Sequence, residues 1–267
     1  MEEKRKKKKK QGWSNLIRNE DWLAVWLGFF IIICVIAGLR PTLPTFKWET
    51  AGEFATTVEA AKSKVTQIGK DAEAKGETAL VQSATALQAA MASGERAAIG
   101  SAAKKLSDAS KESKDAGLKK KAGDLGKKLS GSAGALSSKV FSAENLQNIA
   151  IIGIALLIVS SVGILCMGGN IGKYAIGFPF VFLLSCLAQF ISGNATVNYY
   201  GIEYVIFALV IGLLISNTVG VPAWLMEAVR TEYYIKTGLV ILGAGILFKE
   251  ILQGGALGIV QALCVVT

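Results

Sequence analysis

Uncharged apolar runs long enough to cross a bilayer, set apart by charge-rich stretches, constrain this chain more than any other feature. Trp22 to Leu39 carries no charged residue, and at about 1.5 Å of rise per residue a helix of that length matches a hydrocarbon core of roughly 30 Å. After a long polar interval the pattern returns. Ile149 to Met167, Tyr174 to Ile191, Tyr204 to Ile215 (beginning near Ile202) and Tyr233 to Phe248 are apolar, and a further run opens near Leu252 and continues to Thr267. Backbone polar groups in lipid must be satisfied within their own segment, so such runs read as helices. The predicted class is all-α, a polytopic α-helical membrane protein with about six transmembrane helices. The last run has no polar flank and reads as the interior or end of a helix in a longer chain.

Composition sharpens this reading, because a mean hydropathy of +0.44 coexists with a net charge of +9. The two must be segregated along the chain. Lys4 and Lys6 to Lys10 form a basic tail over residues 1–20, followed by a first transmembrane helix over 21–40, a polar region over 41–147 and a membrane region over 148–267. A secretory signal is disfavoured: the first apolar run is long for one and lacks a small-residue cleavage site. Short-loop lysine and arginine bias sets orientation. With the tail inside, alternating crossings put Lys173 and Arg230 in cytoplasmic loops and leave the 41–147 region and the Asn194 to Tyr200 loop outside. Arg40 and Lys249 reach headgroups by snorkelling. The expected location is a bacterial-type cytoplasmic (inner) membrane with the N-terminus cytoplasmic. The partners implied are the lipid bilayer and a small solute, homo-oligomerisation is left open, and no aromatic interleaving or motif points to nucleic acid.

The 41–147 region is rich in Ala, Lys, Ser and Gly. Apolar residues recur there at coiled-coil-like intervals: Val58, Ala61, Val65, Ile68 and Ala72, then Leu80, Ala84, Leu87 and Met91, then Leu118, Ala122, Leu125 and Leu129. Such stripes predict slender helices in a hairpin or small bundle, with breaks near Gly76, Ser93-Gly94 and Gly131. Side chains this small bury little area, so modest stability is expected. The region reads either as a solvated insertion or as a docking or sensing arm. Cys34, Cys166, Cys186 and Cys264 all lie in apolar runs without Cys-x-x-Cys spacing, and histidine is absent. Disulfide, zinc and histidine-based catalysis are therefore not expected, nor is any cofactor or enzymatic activity.

Polar residues in membrane segments need a partner or a wet cavity and so point to function. Gln189, Glu203 and the Ser216-Asn217-Thr218 cluster are candidates, and Lys236 and Thr237 lie one turn into the fifth apolar segment. Glu203 and Lys236 also suit interfacial anchoring, and the Ser216-Asn217-Thr218 cluster suits a helix end. Gly238, Gly243 and Gly245, with Gly254, Gly255 and Gly258 beyond them, suit close helix packing or a hinge. Asn217, Thr218, Lys236 and Thr237 are the expected substrate contacts.

The stretch from Ser216-Asn217-Thr218 through Glu232, Tyr233, Ile235, Lys236, Thr237 and Gly238 to Gly243, with the Gly258 segment after it, resembles the bacterial family of proposed sulfate exporters, the YeiH-type membrane proteins. Glu20-Asp21-Trp22, Ala24-Val25-Trp26 and Gly28 resemble the opening of its longer members. The resemblance implies an inner-membrane transporter of repeated helical architecture, and the 41–147 insertion departs from the compact members. Secondary transport of a small inorganic or organic anion by alternating access is the leading expectation. A membrane receptor or scaffold using the outward helices is the alternative, and no nucleophile–base pair or metal cluster supports an enzyme.

Overall fold

A computed structural model describes residues 19–245. The basic tail, Lys249, Cys264, the glycines from Gly254 onward and the apolar run from Leu252 lie outside the described residues. The chain divides into two compact units. One holds the residues up to Leu43, Asn148–Ser185 and the residues from Gly212 on; the other holds Pro44–Gln147 and Cys186–Ile211.

The second unit contains four long helices, α2 (Ala51–Ala74), α3 (Thr78–Ser93), α4 (Arg96–Glu112) and α5 (Ala116–Gly134), after the chain's first helix α1 (Glu20–Ile36). Of the expected hairpin or small bundle, the structure shows a four-helix bundle. Neighbours pack in a ring, α2 on α3, α3 on α4, α4 on α5 and α5 on α2. The apolar stripes meet inside: Val65, Leu87, Leu106 and Leu129 are fully buried, as are Ala72, Ala103 and Ala122. Local chemistry sets the helix ends. Thr50 and Glu53 form a reciprocal capping box for α2, and Gly76 and Gly94 turn the chain at positive φ. The Asp115 carboxylate accepts from the Leu118 amide at 2.8 Å at the start of α5. The break expected near Gly131 is absent, because α5 runs on to Gly134; the break at Ser113–Asp115 separates α4 from α5 instead.

Small residues bring α4 and α5 together. A Cβ on Gly126 would lie 2.7 Å from the Ala103 oxygen and the Ser107 nitrogen, and one on Gly100 would lie 2.8 Å from the Ala133 Cβ. At one end of the bundle Arg96 donates to the carbonyls of Ser132 (2.8 Å), Ala133 (3.2 Å), Ala135 (2.8 Å) and Glu49 (3.4 Å). Its guanidinium sits 4.5 Å over the Phe54 ring. One side chain thereby satisfies carbonyls that the end of α5 leaves open.

Tertiary ties in this unit involve the residues around Asn194. Trp48 pairs with Asn194 in an isolated parallel bridge, its indole N–H donates to the Phe190 carbonyl at 2.8 Å, and its ring stacks on Phe190 at 5.1 Å. The Glu53 carboxylate accepts from the Thr50 backbone, the Thr50 and Thr196 hydroxyls and the Asn194 amide. Burial raises its pKa, but the bonds from Thr196, Thr50 and Asn194 prevail and bring it down to about 2. The Asn145 side chain clasps Thr45, accepting from its N–H at 2.8 Å and donating to its C=O at 3.0 Å. A four-residue helix α6 (Ser137–Val140) precedes this clasp.

Four further helices follow α7 (Ala143–Cys166): α8 (Ile171–Ser192), α9 (Ala195–Tyr199), α10 (Tyr204–Thr218) and α11 (Thr231–Gly245). By length and composition α7 and α8 are long and apolar enough to cross a membrane, and α10 is a shorter apolar helix. Their surfaces contrast with the bundle. Phe29, Phe30 and Ile33 on α1, Ile154, Ile158 and Leu165 on α7, and Leu209 and Leu214 on α10 are exposed. Water tolerates such continuous apolar faces poorly, whereas hydrocarbon accepts them. The core of the first unit is small, with Leu23, Ala24, Ile164, Tyr174, Phe178, Leu225, Ala228 and Tyr233. Helix α1 packs along α11, where a Cβ on Gly28 would lie 2.7 Å from Val240. Cys34, Cys166 and Cys186 are free thiols.

Candidate functional site

The polar groups of the first unit gather on α1, α7, α8 and α11. Asp21 and Glu232 lie in the first turns of α1 and α11, where unpaired N–H groups favour negative charge. Lys236, one turn along α11, reaches both. Its ammonium contacts the Asp21 carboxylate across the helix pair and lies 2.7 Å from Glu232 Oε2 at i,i+4 spacing. The three charges sum to −1, so the lysine is compensated by carboxylates. It is also the polar residue of α11 that ties this helix to α1.

A hydroxyl chain runs beside this triad. The Tyr234 hydroxyl shares its single proton between the Ala228 carbonyl (3.0 Å) and the Tyr174 oxygen (3.1 Å). Tyr174 donates to Ser160 Oγ at 2.6 Å, and Ser160 donates on to the Leu156 carbonyl. Tyr233, wholly buried, donates to the Ser160 carbonyl at 3.3 Å. Its hydroxyl occupies the space that a side chain at position 163 would need, so glycine stands there. Each hydroxyl has one proton to give, and the chain uses them in a consistent direction.

The expected contacts behave differently from one another. Thr237 is buried and donates to the Tyr233 carbonyl at 2.8 Å. Asn217 and Thr218 are exposed and bond back to Leu213 (2.8 Å) and Leu214 (2.6 Å) in their own helix. Among the described residues Lys236 is the one of the four bonded outside its own helix. No described residue comes within 4 Å of a Cβ placed on Gly238, Gly243 or Gly245, and the run expected to pack there lies outside the described residues. Ser160 has no prominence in the sequence, where Tyr174 marks a segment start and Tyr233 both a segment start and part of the family-like stretch. A serine at the middle of an apolar run and a Tyr-Tyr pair at a helix start are the signals, because buried hydroxyls in lipid must find partners.

Arg230 and Glu227 complete the polar set, joined at 2.8 Å through one guanidinium nitrogen. Among the described residues no group of three or more His, Cys, Asp or Glu side chains is arranged to hold a metal.

Residues 176–267, which contain Asn217, Thr218, Arg230, Lys236 and Thr237, match a family model described as Conserved hypothetical protein 698. A UPF0324 membrane protein of Rhodopirellula baltica is 47% identical over 95 residues, 36% of this chain and 18% of that protein. Two UPF0324 membrane proteins of Nitratidesulfovibrio vulgaris are 43% identical over 102 residues and 42% over 109, covering 38% and 41% of this chain and 18% and 19% of their own length. The chain therefore spans under a fifth of the curated relatives it matches. No solved structure matches it. Together with the exposed apolar helix faces, these likenesses identify a membrane protein, helical in its described residues, that is similar over part of its length to the UPF0324 proteins.

Proposed function

We propose that this chain works in secondary transport, moving a small inorganic or organic anion across the cytoplasmic membrane by alternating access. The observation that supports the reading is the polar cluster on α1 and α11, where Lys236, one turn into an apolar segment, meets carboxylates on two helices. Ionisable groups in lipid are expensive and are retained at pathways and coupling sites. Lys236 meets an anion by exchanging one carboxylate for it. Thr218 and Thr237 donate only by leaving bonds within their helices, which suits contacts made in one state of a cycle and not in the other, while Asn217 has a second amide N–H to offer. The proposed topology has six spans, the N-terminus inside and the bundle outside.

Sulfate is the first probe. The full-length protein in liposomes is expected to give saturable sulfate flux that Lys236→Met weakens without loss of folding or membrane insertion. Flux that stays linear with concentration for sulfate, phosphate and small carboxylates alike would count against transport. Impermeant thiol labelling of Ser93→Cys but not Ser14→Cys in intact cells tests the orientation.

The bundle favours a second reading, a receptor or scaffold, because it has a core of its own outside the apolar segments. Removing residues 46–144 separates the two: transport retained without the bundle supports the first, and transport absent in both forms supports the second.

A further inference from the structure

Arg230 carries an observation that neither the ion triad nor the hydroxyl chain uses. We infer that Arg230 binds a small oxyanion through the Nε edge of its guanidinium, with Glu227 as the resident carboxylate that the anion displaces. The inference rests on the anion-transport reading and assigns a residue to it.

The loop before α11 is held firmly. Leu225 and Ala228 are buried, and the backbone of α8 comes close because Gly177 has no side chain: a Cβ there would lie 2.8 Å from the Ala228 Cβ and 3.4 Å from the Trp224 oxygen. A Cβ on Gly169, in the turn ahead of α8, would lie 3.2 Å from Glu227 Oε2. Glu227 and Arg230 are thus fixed beside the start of α8, where helix N–H groups favour negative charge.

Guanidinium groups bind oxyanions best through paired, parallel N–H donors. Here the pairing is incomplete. Glu227 Oε2 takes one terminal nitrogen of Arg230 at 2.8 Å, while Nε is shielded from solvent and has no partner among the described residues. A shielded, charged donor without an acceptor is unfavourable. A planar or tetrahedral oxyanion spanning Nε and the adjacent terminal nitrogen satisfies it. The side chains of Arg230 and Glu227 remain 27% and 28% exposed, so the pair is reachable. Backbone and hydroxyl contacts of Tyr234 place the hydroxyl chain next to it, since the Tyr234 N–H donates to the Arg230 carbonyl at 3.3 Å and its hydroxyl to that of Ala228.

A structural ion pair and an anion site respond oppositely to single changes. If Arg230 holds the anion and Glu227 competes with it, Arg230→Gln weakens binding about tenfold or more and Glu227→Gln tightens it several-fold. A purely structural pair makes both variants worse. The assay is calorimetric titration of the full chain in nanodiscs with sulfate, phosphate and chloride, with helicity and thermal transition measured in parallel. Arg230→Lys retains the charge without the fork and serves if Arg230→Gln does not fold; it is expected to bind oxyanions less tightly while chloride binding changes little. Unchanged sulfate binding in a folded Arg230 variant, or weakening in Glu227→Gln, overturns the assignment alone. Failure of the unmodified chain to bind any of the three anions overturns the anion reading itself.

Discussion

Two glycines five residues apart in α5 are expected to respond to alanine with opposite signs. At Gly126 the added methyl would lie 2.7 Å from the Ala103 oxygen and the Ser107 nitrogen, both backbone atoms of α4. Ordinary contact begins near 3.4 Å, so α4 and α5 must separate by about 0.7 Å along a seam that also includes Gly123 and Ser110. Forcing a methyl into such a contact costs about 1–3 kcal/mol, which outweighs the ~1 kcal/mol that alanine gains over glycine within a helix. At Gly131 nothing lies within 4 Å, and the helical gain stands alone, about 0.5–1 kcal/mol near the end of α5. A change of 1 kcal/mol shifts the transition of a unit of roughly 100 residues by about 4–8 °C. Far-UV circular dichroism melts of the detergent-solubilised chain, with trypsin cleavage at the bundle lysines as the local readout, should show a lower transition for Gly126→Ala and a slightly higher one for Gly131→Ala. Two shifts of the same sign would refute the claim that backbone contact at Gly126 sets the α4–α5 distance.

Other perturbations test other parts of the molecule. Because the Glu53 carboxyl lies near 2 when folded, below its unfolded value of about 4.3, its contribution is present above pH ~4.5 and is lost as pH falls toward 2. Screening at its partly exposed position limits this to about 1–2 kcal/mol, and Glu53→Gln should flatten acid unfolding of the bundle over that window. Arg96→Ala removes donors to four carbonyls and the contact with Phe54, and a loss of about 2–3 kcal/mol in bundle stability is expected by urea titration. Tyr174→Phe interrupts the hydroxyl chain at its middle and should cost about 1–2 kcal/mol in a detergent melt, whereas Tyr199→Phe, at an exposed ring, should cost almost nothing.

Periodicity carried most of the fold. The apolar runs within the described residues became α1, α7, α8, α10 and α11 with ends shifted by up to six residues, because uncharged length is a strong signal and caps at Asn19 and Asn170 are weak ones. In the middle region the stripes on α2, α3 and α5 were legible, since Leu and Val recur there among alanines. Helix α4 was not, because its inward face is Ile99, Ala102, Ala103, Leu106, Ser107 and Ser110, and alanine and serine do not mark a face by hydropathy. A bundle with one unread helix looks like a hairpin with a spare strip of chain. At the site, Lys236 stood out as an isolated cation, but the carboxylate facing it comes from Asp21, more than two hundred positions earlier, and nothing local reveals that pairing. Ser160 and the tyrosines went unread for a related reason: their importance depends on which helix neighbours which.

The clasp between Thr45 and Asn145 also bears on how the chain could have been assembled. Two hydrogen bonds from one amide hold together positions a hundred residues apart. Closing a flexible loop of that length costs on the order of 4 kcal/mol, and here the closure is made at the root of the intervening segment. Everything between can lengthen, shorten or be exchanged without moving the ends of α1 or α7, much as domains are tolerated as insertions where their termini lie side by side. A short linker replacing residues 46–144 should therefore leave the spacing of those two helices intact, and a foreign helical hairpin with adjacent ends should be accepted at the same place.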